Sequence, residues 1–256
     1  MKIRFLGVSN AESADNQLVS FLIDEILAVD AGSLTARLPF AAQKKVKAIL
    51  LSHGHYDHIR DVPAFAFSNP LRTTPVLAAQ ETLEILSSHL IDGVIYPQYA
   101  GKTSFLKKPA LKLVALEPFT PKKVVGYEVV AVPVNHPHNA AGLQITAPDG
   151  KSVFYTGDTG PGLSDVWRHI SAELLIVDLT FPDRLAQTAL DSGHMCPALL
   201  SRELRKFRRI KGYLPRVVAV HLTPWLRGEI AEEAARVAGR LGLRFGIAAE
   251  GEVISV

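Results

Sequence analysis

The chain has 256 residues, 48% hydrophobic and 21% charged, and this ordinary globular composition excludes a disordered, collagen-like or coiled-coil protein. Its 28 basic and 25 acidic residues leave a net charge of +3, too small to indicate nucleic-acid binding by itself. The single cysteine, Cys196, excludes a disulfide framework and a thiolate metal cluster. No apolar run reaches the ~18 residues of a membrane helix, and the amino terminus lacks the apolar region of a signal peptide. We therefore expect a cytoplasmic protein with no membrane partner.

Short apolar strands dominate the first part of the chain. The patterns predict strands at 2–8, 18–24 and 26–30, a helix at 34–45, a strand at 46–52, a helix at 61–67, a strand at 75–79 and a helix at 80–91. Residues 93–109 form an irregular stretch with Gly, Pro and Tyr, and we predict a loop or lid there.

Strands continue in the middle of the chain and then alternate with helices. The predicted strands lie at 111–116, 124–134, 142–146, 152–155, 174–177, 217–220, 243–248 and 252–256, and the predicted helices at 197–207 and 229–241. An Asp149-Gly150 pair predicts a hairpin turn between two of these strands. This order of strands and helices predicts one domain over residues 1–256, with two sheets covered by helices on the outside.

The main functional signal follows the strand at 46–52, where the sequence reads His53-Gly54-His55-Tyr56-Asp57-His58. In extended backbone, residues i and i+2 point the same way, so His53 and His55 can converge on one point. Asp57 and His58 fall where the chain turns toward a helix and can face a second point nearby. Imidazole and carboxylate are ligands that borderline divalent ions prefer, and burying four such groups without a cation is costly. A solvated polar loop is the alternative interpretation.

Three further predicted strands end in a metal-ligand type of residue. His136 follows the apolar run at 129–135, Asp158 comes just after the run at 153–156, and His221 follows the strand at 217–220. Loops at strand ends are where a rigid sheet can hold site residues. Each residue alone is more typical of a structural position, but together with the cluster they supply ligands for two ions.

These residues resemble the signature of the metallo-β-lactamase superfamily, in which His-x-His-x-Asp-His is followed by a His, a bridging Asp and a final His. The resemblance covers nearly the whole chain and implies an α/β fold, a four-layer αββα sandwich of two mixed sheets with the site at one edge. The implied ligands are His53, His55 and His136 for one divalent ion and Asp57, His58 and His221 for the other, with Asp158 bridging them. His138 is an alternative to His136, which we prefer because it directly continues the strand. The N/O ligands favour Zn²⁺, with Mn²⁺ or Fe²⁺ as alternatives.

Within that superfamily the chain resembles the phosphodiesterase branch. Asp178 and His194, in Val177-Asp178-Leu179-Thr180-Phe181 and Gly193-His194-Met195, resemble a pair found in transfer-RNA 3′-processing nucleases and in class II 3′,5′-cyclic-nucleotide phosphodiesterases. The second group also matches at residues 92–97, 193–197 and 221–224, although Tyr96 replaces its usual Trp and Cys196 its usual Thr. Transfer-RNA processing enzymes carry an extruded arm between the third His and the bridging Asp, whereas here only residues 137–157 intervene.

Other branches fit less well. True β-lactamases of this fold place a Cys in the second site, and the oxygen-reducing branch has Glu where this chain has His55. Glyoxalase-type thioesterases carry a C-terminal helical domain that nothing here provides. Basic residues between 102 and 123 and between 202 and 211 are interpreted as solvated surface, so a nucleic-acid partner is not favoured. A homodimer is left open.

We therefore expect a dinuclear metal-dependent hydrolase that cleaves 3′,5′-cyclic nucleotides or similar small phosphate diesters by a metal-bridged hydroxide. Asp57 would orient the hydroxide, His194 would protonate the leaving group, and Asp178 would hold the His194 ring. Asp30 is either a support for the ligands or a turn residue. RNA 3′-processing, sulfatase or lactonase chemistry at the same ions, and a metal-holding sensor without turnover, are the alternatives.

Overall fold

Two seven-stranded sheets packed face to face form the centre of the protein in the computed structural model, which describes residues 1–101 and 107–256. In the first part of the chain the elements are β1 (Lys2–Gly7), β2 (Ser20–Ile23), β3 (Leu27–Val29), α1 (Leu34–Arg37), α2 (Phe40–Gln43), β4 (Ala48–Leu50), α3 (Tyr56–Ile59), α4 (Val62–Ser68), β5 (Thr74–Ala78), α5 (Gln80–His89) and β6 (Leu111–Ala115). Part of the loop or lid predicted at 93–109 lies outside the described residues. Lys102 of the basic stretch lies outside them as well.

The elements that follow are β7 (Lys122–Val124), β8 (Tyr127–Pro133), β9 (Ala141–Thr146), β10 (Ser152–Tyr155), α6 (Ser164–His169), β11 (Leu174–Asp178), α7 (Ala186–Ser192), α8 (Pro197–Lys211), β12 (Arg216–Val220), α9 (Arg227–Leu241), β13 (Phe245–Ile247) and β14 (Val253–Ser255). The first sheet has the order β14-β1-β2-β3-β4-β5-β6, and the second has the order β13-β12-β11-β10-β9-β8-β7. The carboxy-terminal strand β14 pairs with β1, so the end of the chain closes the first sheet.

Three apolar layers hold these elements together. The layer between the sheets contains alternate residues of both, and the ring of Phe21 from the first sheet meets the edge of Tyr155 from the second at 5.1 Å. The opposite face of the first sheet packs against α1, α4 and α5, and that of the second packs against α6, α8 and α9. A fully buried Leu, Ile or Phe contributes about 1.5–3 kcal/mol to such a core. This arrangement confirms the predicted αββα sandwich.

Parallel pairing determines where the site lies. Strands β3 to β6 are parallel to one another in the first sheet, and β10 to β13 are parallel in the second. The carboxyl ends of parallel strands meet at one edge of a sheet, where α/β proteins place their ligands. The chain segments that follow β4, β8, β10, β11 and β12 all reach this edge.

Several predicted boundaries differ from the structure. The helix predicted at 34–45 is split into α1 and α2, because Pro39 forces Leu38 into an extended conformation with φ −114° and ψ 125°. The strand predicted at 124–134 is the hairpin β7–β8, whose turn at Val125 and Gly126 has positive φ at both residues. The short helices α6 and α7 were not predicted. The hairpin at Asp149-Gly150 is confirmed between β9 and β10.

Candidate functional site

The seven side chains predicted as metal ligands lie together at the edge between the two sheets. His53 and His55 occupy the loop after β4, Asp57 and His58 lie in α3, and His136, Asp158 and His221 follow β8, β10 and β12. Their potential ligand atoms form two sets within which all atoms lie inside 4.8 Å of one another. One set comprises His53, His55, His136 and Asp158, and the other comprises Asp57, His58, Asp158 and His221. Asp158 and His221 also form a group of the same kind with Asp178 and His194. The first two groups are the ones that the sequence resemblance implies for the two ions.

Asp158 belongs to both sets and lies at the centre of the site. Its Oδ2 atom is 3.5 Å from Nε2 of His53, 3.3 Å from that of His58, 3.2 Å from that of His221 and 4.0 Å from that of His136. The carboxylate is 1% exposed, so these imidazoles rather than water surround it. A carboxylate in this position can bridge two cations.

Four of the five histidine rings are oriented by partners outside the cluster, whereas Nδ1 of His55 lies 3.2 Å from Nε2 of His136. In each of four rings Nδ1 meets an outer oxygen and Nε2 is left facing inward, an arrangement typical of metal-binding histidines. The Nδ1 contacts are His53 with Ser52 Oγ at 3.0 Å, His58 with Asp30 Oδ2 at 2.7 Å, His136 with the Gly193 carbonyl at 2.8 Å and His221 with Thr180 Oγ1 at 2.7 Å.

Some buried atoms of the cluster have no hydrogen-bond partner among the described residues. They are Nε2 of His53, Nε2 of His58 and Oδ1 of Asp158. Each unsatisfied buried polar group costs about 1–3 kcal/mol, and a cation bound by these atoms would remove that cost. The donor set therefore fits divalent metal ions that accept imidazole and carboxylate ligands.

The electrostatics of the cluster also favour a cation. Burial, reinforced by neighbouring histidines, lowers the pKa of His53 and of His55, so both rings are neutral and able to bind a metal. Burial alone would lower the pKa of His58, but Asp158 and Asp57 raise it well above its usual value. Burial alone would raise the pKa of Asp158, but His221 and His58 lower it. The carboxylates are therefore ionised and attract positive charge to the centre.

Asp30 supports the ligands from behind, which decides between the two roles left open by the sequence. It is fully buried, and besides His58 it accepts hydrogen bonds from the Tyr155 hydroxyl at 2.7 Å and from Ser52, through N at 2.8 Å and Oγ at 2.9 Å. Burial and the nearby Asp30 carboxylate raise the pKa of Tyr155, so its hydroxyl remains a donor. Sequence reasoning missed Ser52 and Tyr155. Ser52 adjoins His53, but nothing in the sequence places Tyr155 beside Asp30.

Asp178 and His194 form the pair that the sequence predicts. Asp178 Oδ2 lies 2.7 Å from His194 Nδ1 and also accepts a hydrogen bond from the Thr159 backbone N–H at 3.1 Å. The His194 ring centroid is 5.0 Å from that of His136 and 5.1 Å from that of His221, so it lies beside both ligand sets. Burial alone would lower the pKa of His194, but Asp178 raises it to about 9. Asp178 thus favours the protonated form of the ring.

The remaining histidines lie outside the two ligand sets. His138, the alternative to His136, is 52% exposed and lies 3.5 Å from Glu81. His89 and His169 are exposed at the ends of α5 and α6. The structure thus brings His136 rather than His138 into the cluster.

Comparisons with known proteins agree with this architecture. Residues 21–241 match the family described as β-lactamase superfamily domain. The chain is 27% identical over 202 residues to "Probable metallo-hydrolase YhfI" of Bacillus subtilis. The aligned residues cover 76% of this chain and 78% of that protein. The crystal structure of YhfI has a TM-score of 0.78 at 21% identity and covers 99% of this chain and 98% of its own.

Two further solved structures share the fold. Unliganded yeast PDE1 has a TM-score of 0.83 at 16% identity, with 100% of this chain and 99% of that chain covered. The short form of human tRNase Z has a TM-score of 0.70 at 16% identity, with the same coverage. Among residues 1–101 and 107–256, none of the helices has both the length and the apolar character that crossing a membrane requires.

Proposed function

This chain belongs to the β-lactamase superfamily, and on that premise we propose that it is a dinuclear phosphodiesterase that cleaves 3′,5′-cyclic nucleotides or similar small phosphate diesters. The coarser activity, a metal-dependent hydrolase, follows from the family, from the metallo-hydrolase relative and from the two clustered ligand sets.

The observation that carries the proposal is the Asp178–His194 pair beside those ligand sets. Cleavage of a diester releases an alkoxide, which is a poor leaving group unless it receives a proton. Nδ1 of His194 is engaged by Asp178 at 2.7 Å, so Nε2 is the atom left to donate that proton. The buried carboxylate supports the cationic ring, as carboxylates do for other catalytic histidines. The fold shared with yeast PDE1 is consistent with this chemistry.

The proposed metal ligands divide as the two sets do. His53, His55 and His136 would hold one ion, Asp57, His58 and His221 the other, and Asp158 would bridge them. When bound, the two ions would supply positive charge for the phosphate and an activated water at neutral pH. We propose Zn²⁺ because imidazole predominates among the ligands.

The chain's own groups then have separate tasks. The buried histidines exclude bulk water from the centre, while the Asp57 side chain is 28% exposed and can orient an incoming water molecule. Burial alone would raise the pKa of Asp57, but His58 and His221 lower it, so the group acts as a hydrogen-bond acceptor. His194 donates its proton to the leaving oxygen, and Asp178 keeps its ring in place.

Transfer-RNA processing is less well supported, although human tRNase Z shares the fold. All residues between His136 and Asp158 are described, and strands β9 and β10 with their connecting turn occupy most of that interval. They form a hairpin within the second sheet and leave no extruded arm between positions 137 and 157. A small diester is therefore the substrate class that we propose. We also propose a cytoplasmic location, because a single buried cysteine, Cys196, is suited to a reducing compartment.

The test combines elemental analysis with a substrate panel on one preparation. We expect two ions per chain and chelator-sensitive turnover of bis-p-nitrophenyl phosphate and 3′,5′-cyclic AMP. A transfer-RNA precursor, an aryl sulfate and a lactone complete the panel. Cleavage of the precursor without cyclic AMP turnover, or turnover of the sulfate or lactone alone, would overturn the proposal, and so would ion binding without turnover of any substrate.

A further inference from the structure

One hydroxyl joins the proposed ligand set to the Asp178–His194 pair. Thr180 lies just after β11, is 1% exposed, and directs its Oγ1 atom between Asp178 and His221. We infer that Thr180 is a positioning residue, which fixes the ring orientation of His221 and the carboxylate of Asp178 together. The part of this inference that concerns turnover rests on the proposed function, whereas the part that concerns ion binding rests only on the ligand set.

Oγ1 of Thr180 has several polar neighbours. It lies 2.6 Å from Asp178 Oδ1, 2.7 Å from His221 Nδ1, 3.0 Å from the His221 carbonyl oxygen and 3.4 Å from His194 Nδ1. The last contact is secondary, because His194 Nδ1 is already 2.7 Å from Asp178 Oδ2. The hydroxyl therefore has its two short contacts with a carboxylate on one side and a ligand imidazole on the other.

The ring hydrogen of His221 and the hydroxyl hydrogen of Thr180 determine which atom donates in each of the two short contacts. Nε2 of His221 lies 3.2 Å from Oδ2 of both Asp57 and Asp158, on the side of the proposed ions, so with an ion bound its lone pair is on Nε2 and the ring hydrogen is on Nδ1. That Nδ1–H donates to Thr180 Oγ1. The hydroxyl has only one hydrogen, and the carboxylate of Asp178 is the stronger and closer acceptor for it. The result is one directional chain from His221 through Thr180 to Asp178, which also accepts a hydrogen bond from His194.

The hydroxyl is needed because no direct hydrogen bond joins the two ends. His221 Nδ1 lies 3.9 Å from Asp178 Oδ1, too far for one. Thr180 itself is well held, since its N–H donates to the Met195 carbonyl at 3.1 Å and its carbonyl accepts from the Thr223 N–H at 3.3 Å. Removal of the hydroxyl would take the hydrogen-bond partner from buried Nδ1 of His221 and the Thr180 donor from Oδ1 of Asp178.

The backbone of His221 makes such support more important. His221 has φ 64°, a left-handed conformation that a residue with a β-carbon rarely adopts. Residues in that region persist only where their surroundings hold them, and they cluster at functional sites. The backbone N–H of His221 donates to the Val8 carbonyl at 2.6 Å, and Thr180 holds the ring. Thr180 thus completes the placement of a ligand that its own backbone does not favour.

The test compares Thr180→Val, which keeps the shape but removes the hydroxyl, with Thr180→Ser, which restores it. The matched control is Thr74→Val, at the start of β5, because Thr74 is equally buried and its hydroxyl has no partner among the described residues. The first readout is NMR of the zinc-loaded protein labelled with ¹⁵N-histidine. We expect an exchange-protected Nδ1–H resonance of His221 in the wild type, in Thr180→Ser and in Thr74→Val, and its loss in Thr180→Val.

The second readout is the affinity for the more weakly bound Zn²⁺, measured by competition with a chromogenic chelator. Loss of an outer partner of a metal-binding histidine lowers affinity by about 10- to 100-fold, so we expect that loss in Thr180→Val and near wild-type affinity in the other two variants. Wild-type affinity in Thr180→Val would overturn the inference. So would a wild-type protein without the protected His221 resonance, a result that does not depend on any variant folding.

Turnover gives the third readout and separates the two proposals. If the phosphodiesterase proposal is right, Thr180→Val should lose more kcat on cyclic AMP than on bis-p-nitrophenyl phosphate, since only the former needs a proton on its leaving group. If the wild type hydrolyses no diester, the phosphodiesterase proposal fails, while the resonance and the zinc affinity still decide the role of Thr180.

Discussion

Truncating His194 tests whether the site contains a proton donor distinct from the metal ligands. The ring lies beside His136 and His221, at centroid distances of 5.0 and 5.1 Å, but belongs to neither of the two ligand sets that we assign to the ions. His194→Ala should therefore leave two ions per chain. General acid catalysis contributes about 10²- to 10⁴-fold, or roughly 2.7–5.4 kcal/mol of transition-state stabilisation, and the loss should fall in this range for cyclic AMP.

The leaving group decides how large the effect is. A nitrophenolate departs without needing a proton, so turnover of bis-p-nitrophenyl phosphate should fall much less than that of cyclic AMP. The assay measures kcat and KM for both substrates, together with the metal content, in His194→Ala and in the control His89→Ala, which alters an exposed residue at the end of α5. Equal losses on the two substrates, or a lost ion, would refute the general-acid role.

Three further changes test the ligands, their support and the fold. Asp158→Ala removes the carboxylate shared by both sets and should lower the metal content below two ions per chain, so unchanged elemental analysis would refute its bridging role. Tyr155→Phe removes a donor to Asp30 and should weaken zinc affinity by about 10- to 100-fold in chelator competition, whereas Tyr213→Phe, at a surface hydroxyl bonded to the backbone, should not. Glu203→Gln should cost about 1.5–3 kcal/mol of unfolding free energy in urea at pH 7, because the buried carboxylate binds backbone N–H groups at the start of α6. Burial alone would raise the pKa of Glu203, but Lys206 and those N–H groups lower it, so this stability is present above the unfolded pKa of about 4.3 and is lost as the pH falls through the lower folded value. The difference from the wild type should thus shrink in acid, and a difference that stays constant down to pH 3 would contradict the reasoning.

Local pattern predicted the architecture well where the deciding interactions are local. The run from His53 to His58 directly follows a buried strand, and Asp158 and His221 follow two others, so the side of the sheets on which they meet could be inferred from strand direction. The helix predicted at 34–45 is wrong because Pro39 disfavours a helical conformation of Leu38, an effect that the apolar pattern does not show.

The residues that orient the ligands could not be predicted in this way. Ser52, Tyr155 and Thr180 are hydroxyl residues of ordinary strand and loop sequence, and each contacts a group distant in the chain. Tyr155 meets Asp30 across the interface of the two sheets, and Thr180 meets His221 across neighbouring strand ends. Such contacts depend on strand pairing within each sheet and on packing between the sheets, which hydropathy does not specify.

The amino-acid sequence alone thus determined which chemical groups the site contains, because ligand types recur at strand ends whatever the exact packing. Only the tertiary structure decided that Asp30 supports His58 and that Thr180 joins His221 to Asp178. The physical reason is that residue type and periodicity set which face of a strand a side chain occupies. A hydrogen bond needs two atoms within about 3 Å of each other, and only the paired strands and packed sheets of the folded chain establish that distance.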